Sequence, residues 1–172
     1  MSRTATMANL LELPSWDDQG RLRIVVETPK NSPFKLHYEP LTHAFCFQRS
    51  LQGLRYPHDW GFVPGTQAPD GDPLDALVLH DAATWPGVVL PSTPIALLKL
   101  LDRKQGADRE VQNDRLIAVL SAEPAVPELS SEKRLSLEDF FRAAGEQNQK
   151  KVRILGWGNA DAARAAVEQA QR

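Results

Sequence analysis

Thirteen prolines are scattered along the 172 residues and cut the apolar segments into short runs, a spacing that favours strands joined by turns. Leu22, Ile24 and Val26 alternate with Arg23, Val25 and Glu27, and Phe34, Leu36 and Tyr38 alternate with Lys35 and His37. A period of two puts Lys35 and His37 on one face. Further strands are expected at 44–48, 76–79, 95–101, 116–120 and 152–155, and six or seven short strands suggest a barrel. The last third changes character. Ser136-Leu-Glu-Asp139 reads as a capping box ahead of Phe140 and Phe141, and Asn159 as the cap of an alanine-rich helix over 160–171. The segment 103–113 is charged without apolar periodicity and reads as an exposed loop. The fold class expected is α+β, mainly β: a closed barrel with flanking helices. The length suits one domain spanning 1–172, and no internal repeat divides it.

Twenty basic residues against 22 acidic ones give a net charge of −2, which argues against broad nucleic-acid or anionic-membrane binding. Any anion site must therefore be local. Cys46 is the single cysteine, so neither an intrachain disulfide nor a cysteine zinc cluster can form. Residues 1–9 lack the apolar core of a signal peptide, and the most apolar stretch, 88–101, is interrupted by Pro91, Pro94 and Lys99. A soluble cytoplasmic protein with no membrane segment is expected.

The densest chemical signal is Asp70-Gly-Asp72-Pro-Leu-Asp75, which places three carboxylates at the entrance to an apolar strand. Like charges that close raise one another's pKa unless a cation compensates, so oxygen ligation of a hard divalent metal gives the cluster a physical purpose. An Asp-Gly turn before an exposed strand end is the plainer reading of any Asp-x-Asp, but the third aspartate shifts the balance. An EF-hand loop does not fit: its sixth position, which requires glycine, is Asp75, and its twelfth is Asp81. P-loop, Rossmann, HExxH and GxSxG patterns are absent, and the four histidines lack metal-ligand spacing. Asp102 ends one apolar strand and Asp114 opens the next, so both are candidates to join the cluster at a barrel mouth. A multi-metal acidic site calls for an anionic substrate. Arg49 suits bidentate phosphate binding and Lys35 a point charge, while Tyr56 and Trp60 offer hydrogen-bond donors just ahead of the acidic motif. Taken singly, each has an ordinary surface or core role.

Taken together, these residues resemble the soluble type I inorganic pyrophosphatases. The specific match is Asp70-Gly-Asp72-Pro-Leu-Asp75, which has the form of that family's signature; the similarity extends through Val26-Glu-Thr-Pro29, Pro33-Phe-Lys35, Arg49, Tyr56-Pro57, Trp60-Gly61, Asp102, Leu116-Ile-Ala-Val119 and Gly156-Trp157. The resemblance implies a five-stranded, OB-like closed barrel with flanking helices, Mg²⁺ as cofactor with Mn²⁺ as a substitute, pyrophosphate as substrate and a homo-oligomer, a hexamer in bacteria. It also implies that Asp70 and Asp75 hold metals, with Asp72 nearby as general base. Asp102 would hold a further metal, Lys35, Arg49 and Trp60 would bind phosphate, and Glu27 would make a water-mediated metal contact at the rim.

The departures are specific. Two residues after Lys35 the family usually has glutamate and this chain has His37; a tyrosine is replaced by Trp60; and the usual Asp-x-Lys reads Asn113-Asp114-Arg115. Either Asn113 replaces the carboxylate or Asp114 supplies it after a one-residue shift, which on a strand changes the face. A phosphate-binding Tyr-Lys pair on the C-terminal helix reads Phe140-Phe-Arg142 here, leaving Arg142, Lys150 or Lys151 to supply the charge. Two other functions compete with pyrophosphate hydrolysis. One is cleavage of another phosphoanhydride, such as a nucleotide or sugar diphosphate. The other is a catalytically weak OB-like binding module, disfavoured because the motif concentrates negative charge.

Overall fold

A computed structural model describes residues 8–121 and 128–172. The reading of the chain's start rests largely on residues 1–7, which lie outside the described residues. In chain order the elements are β1 (Leu22–Thr28), β2 (Phe34–Glu39), β3 (Ala44–Ser50), β4 (Asp59–Phe62), β5 (Asp75–Leu79), β6 (Val89–Lys104), β7 (Val111–Gln112), β8 (Arg115–Leu120), α1 (Ser131–Gln147), β9 (Lys150–Gly158) and α2 (Ala160–Ala170). No helix among the described residues is long and apolar enough to cross a membrane.

Five strands close on themselves in the order β1-β4-β5-β8-β6, with β6 returning to pair with β1. The β5–β8 pairing is parallel, and the other pairings in the ring are antiparallel. Closure removes exposed strand edges. At 16 residues β6 is long enough to serve twice: its first half pairs with β1 and β8, and its second half runs on to pair with β9 and β7. It tolerates Pro94 because the register with β8 slips between Pro94 and Ala96, so the missing N–H falls at an irregularity, while Pro91 lies just before the β8 pairing begins at Ser92. The β2–β3 hairpin stands apart as a second small sheet.

Alternate residues of the ring feed two cores. Ile24, Val26, Ala76, Val78, Leu116 and Ala118 pack with Ala163 and Val167 of α2. Trp60, Leu77, Leu98, Leu100 and Ile117 pack with Leu137, Phe140 and Phe141 of α1. Each fully buried aliphatic side chain contributes about 1.5–3 kcal/mol. Both faces of β4, β5 and β8 are therefore covered, and β4 reads Asp-Trp-Gly-Phe without visible alternation because all four residues are buried. Gly61 is required in β4, since a Cβ there would lie 1.8 Å from the Val25 carbonyl oxygen across the pairing. Asp59, fully buried, is satisfied by the Lys30 N–H at 2.7 Å, the Thr84 hydroxyl at 2.7 Å and His80 Nε2 at 2.7 Å, which ties the loop after β5 to β4.

Three local expectations are corrected. The first turn of α1 is capped by Ser130, whose side chain accepts the Lys133 N–H, and Ser136 lies inside the helix. The competing serine wins because Leu137, Phe140, Phe141 and Ala144 need a helix already formed beneath them to reach the core. The charged segment 103–113 is only partly a loop: Arg103 and Lys104 finish β6, and Val111–Gln112 pairs back onto Leu101–Asp102. The aromatic stretch 56–62, read as a source of hydrogen-bond donors with core packing as the plainer role, also supplies at 59–62 a strand of the ring that was not expected there. Asn159 does cap α2, accepting the Ala162 N–H at 3.0 Å.

Candidate active site

The acidic motif occupies the turn that feeds β5. Gly71, at φ +93, allows the reversal, and the Asp70 carboxylate accepts the Asp72 N–H at 3.2 Å, an Asx turn that leaves Asp70 and Asp72 exposed. Buried Leu74 anchors the exit from that turn, its N–H donated to the Thr66 hydroxyl at 2.9 Å. Asp75 is the first residue of β5, and parallel pairing sets it beside Arg115, the first residue of β8. The two side chains form an ion pair. Arg115 also donates to the Asn113 side-chain oxygen and lies 3.6 Å from Asp102, whose Oδ2 accepts from Asn113 Nδ2 at 2.8 Å. A buried guanidinium thus sits among the acidic residues, stacked 5.2 Å from the Trp60 ring and 5.6 Å from Phe141.

Two bulges aim the remaining groups. Between β1 and β4 the register slips from Val26↔Gly61 to Thr28↔Trp60, leaving Glu27 as the extra residue, with its carboxylate accepting the Tyr38 N–H at 2.7 Å. Between β2 and β3 the slip falls after Lys35, so Lys35 and Arg49 stand directly opposite each other. Lys35 Nζ lies 5.6 Å from the centre of the Trp60 ring. Lys35, Arg49, Tyr56, Trp60, Asp102 and Arg115 wall a pocket of about 60 Å³, roofed by Phe140 and Phe141 of α1. Lys150, at the start of β9, enters the same wall and reaches Asp102 at 3.5 Å.

The pocket is rich in donors without acceptors. Arg49 Nε, Trp60 Nε1 and Arg115 Nε are buried with no hydrogen-bond partner among the described residues. Donors left open this way in a cationic pocket suit an anion with several acceptor oxygens. Desolvation dominates the titration of the surrounding groups. It pushes Glu27 up to about 7, with help from the Asp75 charge and against the Tyr38 N–H. It raises Asp75 despite Arg115 and Lys35, raises Asp70 with help from Asp75 and Asp72, lowers Lys35 and pushes the Tyr56 phenol up.

The residues picked from the sequence divide accordingly. Asp75, Asp102, Lys35, Arg49, Tyr56 and Trp60 come together around Arg115 and the pocket, with Asp70 and Asp72 on the turn leading into Asp75 and Glu27 close enough to feel the charges of Asp75, Lys35 and Asp72. Asp114 is not part of that group. Its carboxylate accepts the Leu100 N–H at 3.1 Å and the Gln112 amide at 2.8 Å, and it lines a separate cavity beneath α2. Asn113 takes the inner position, because entry into β8 gives Asn113 and Arg115 one face and Asp114 the other. Among the candidate replacements for the missing helix cation, Arg142 pairs with Glu138 at 3.0 Å and Asp139 at 3.3 Å, Lys151 is exposed, and Lys150 reaches the pocket. The central role of Arg115 was missed; the Asn113-Asp114-Arg115 triplet marks its position, but only the parallel pairing with β5 brings it to Asp75.

The donor set suits a hard divalent cation: carboxylate oxygens on a turn and two strand ends, including Asp102 Oδ1, which is buried without a partner among the described residues. No three His, Cys, Asp or Glu side chains among the described residues converge on one point. Arg115 accounts for that, since its guanidinium holds Asp75 and Asp102 from between.

Residues 24–172 match the sequence profile of the family described as inorganic pyrophosphatase. The inorganic pyrophosphatase of Synechocystis is 31% identical over 94% of this chain and 96% of its own length, and that of Thermus thermophilus is 35% identical over 91% and 93%. The crystal structure of the Thermus thermophilus inorganic pyrophosphatase superposes with a TM-score of 0.83 at 30% identity, covering 95% of this chain and 97% of the other. An inorganic pyrophosphatase from Coxiella burnetii gives 0.80 at 27% identity, covering 92% and 97%.

Proposed function

The chain belongs to the inorganic pyrophosphatase family and hydrolyses inorganic pyrophosphate to phosphate, and we propose that it does so at the pocket around Arg115. Asp72 serves as general base, Lys35, Arg49, Trp60 and Lys150 hold phosphoryl oxygens, and Asp70, Asp75 and Asp102 hold Mg²⁺ or Mn²⁺. The observation that carries this reading is the set of open donors on Arg49, Trp60 and Arg115 around a space the size of one phosphate, next to an acidic turn.

The family depends on divalent metal, which when bound supplies charge neutralisation and a lower pKa for the attacking water. The protein's own residues supply the rest. Asp72, exposed on its turn, takes the proton from water. Lys35, Arg49 and Lys150 offset charge on the equatorial oxygens, and the Trp60 indole donates a single hydrogen bond in place of a phenol. Phosphoryl transfer rests mainly on such positioning and electrostatic stabilisation, so no covalent enzyme intermediate is needed. Phe140 and Phe141 exclude water from the top of the pocket, which strengthens every charge interaction inside it. Glu27 belongs to the rim as a metal contact in its ionised form. Asp114, read from the sequence as a metal ligand, instead holds the β6 backbone.

We read the chain as one functional unit over 1–172, acting in the cytoplasm as a homo-oligomer, a hexamer on the family pattern. Phosphate release from pyrophosphate with millimolar Mg²⁺, set against an Asp72→Ala control, tests the assignment. Equal release by the two proteins removes Asp72 from the mechanism. A preference of more than tenfold in kcat/KM for a nucleotide over pyrophosphate, about 1.4 kcal/mol of discrimination, overturns the substrate assignment.

A further inference from the structure

Where β6 and β9 pair beyond the pocket, Arg103 faces Lys151 and Lys104 faces Lys150 across the ladder. Like charges directly opposite on neighbouring strands destabilise a sheet. Among the described strand pairings the only other opposed like-charge pair is Lys35↔Arg49, in the pocket wall. The chain therefore sets cations against each other where an anion binds and again at this ribbon end.

The ribbon end forms one side of an open groove of about 790 Å³, far larger than the pocket. Arg142 lines the groove too but is neutralised by Glu138 and Asp139. Among the described residues, Asp108 and Glu146 bring the only carboxylates in the lining against Arg103, Lys104, Lys150 and Lys151, and Lys150 also reaches Asp102 at 3.5 Å, so the lining keeps a net positive charge. Lys150 lines both spaces and makes them neighbours. No aromatic residue among the described residues lines the groove, so these offer no platform for a nucleobase.

We propose that this groove is a second anion site, which binds an inorganic linear oligophosphate through Arg103, Lys104, Lys150 and Lys151. Consecutive pairs of a ladder point to opposite faces, so a chain of phosphates passing round the ribbon end meets Lys104 and Lys150 on one side and Arg103 and Lys151 on the other, and offsets the repulsion within each pair. Lys150 links the chain to the hydrolytic pocket. The site goes beyond pyrophosphate hydrolysis, and its test does not depend on that activity.

The test is calorimetric titration with tripolyphosphate in EDTA, so that no hydrolysis occurs, on the wild type and on Arg103→Gln/Lys151→Gln. Neither substituted residue belongs to the pocket. The expected result is at least tenfold weaker tripolyphosphate binding by the double variant, weaker wild-type binding of ATP than of tripolyphosphate, a thermal midpoint no lower than wild type, and pyrophosphate hydrolysis within twofold. Equal tripolyphosphate affinity in the two proteins overturns the proposal. So does tighter wild-type binding of ATP or of a single-stranded oligonucleotide than of tripolyphosphate, or a lower midpoint for the variant, which would mean that the opposed cations do not repel. A wild type inactive on pyrophosphate that still loses tripolyphosphate binding on substitution would undo the catalytic reading and leave this site standing.

Discussion

Replacing Arg115 by glutamine removes the one cation among the described residues that touches both Asp75 and Asp102. The residue is 8% exposed. Breaking a buried ion pair from one side typically costs about 3–5 kcal/mol, because the abandoned charge stays in a poorly solvated place. The Asp75 side chain keeps 22% of its exposure and Lys150 still reaches Asp102 at 3.5 Å, so the lower end, about 3 kcal/mol, applies. For a protein of this size each kcal/mol moves the thermal midpoint by about 2–4 °C, so the midpoint falls by roughly 6–12 °C. That loss belongs to the metal-free state. A divalent ion between the same carboxylates restores the missing positive charge, and because it binds only the folded protein the deficit shrinks in millimolar Mg²⁺. Thermal and urea unfolding of both proteins, each in EDTA and in Mg²⁺, measures the four values required. Titration calorimetry adds a second reading: the variant binds Mn²⁺ more tightly, since no guanidinium has to be displaced from Asp75. A variant as stable as wild type in EDTA, or one whose deficit is the same with and without metal, refutes the view of Arg115 as a built-in counter-ion.

Asp72→Asn lowers phosphate release by about 10²–10⁴-fold, the usual contribution of a general base, while leaving the unfolding midpoint within a degree or two because the residue is exposed on its turn. Glu27 is raised from 4.5 to about 7, so the metal-free fold binds a proton there that the unfolded chain has released, and stability falls as pH rises across that window. The Glu27→Gln variant flattens that part of the stability curve in EDTA, and a wild-type-minus-variant difference that grows in favour of wild type between pH 5 and pH 7 contradicts the sign. Gly61→Ala drives a Cβ to within 1.8 Å of a backbone oxygen, so β4 must separate from β1. Soluble, cooperatively unfolding Gly61→Ala protein with a midpoint near wild type refutes the close approach.

Much of this protein is readable from neighbours in the sequence. The alternation at 22–27 and 34–38, the Asx turn of Asp70 and the cap at Asn159 each depend on residues within a few positions, and each appears where local chemistry places it. The acidic motif announces hard-cation chemistry for the same reason. Strand β4 is hidden because burial on both faces erases the period that marks a strand. Ser130 prevails over Ser136 because a helix begins where its apolar face must begin, which is a property of the core it covers.

What local pattern decides here is which residue types stand ready: carboxylates on a tight turn, cations on a hairpin, aromatic groups before them. Which of them meet was settled by pairing between distant segments. Parallel registry of β5 with β8 brings Arg115 to Asp75 across 40 residues, single-residue bulges leave Glu27 as the extra residue of β1 and set Lys35 against Arg49, and the parity of entry into β8 admits Asn113 while turning Asp114 toward the β6 backbone. Side-chain facing alternates residue by residue, so one position of slip reverses it, and only the closed ring of hydrogen-bonded strands holds that parity in place.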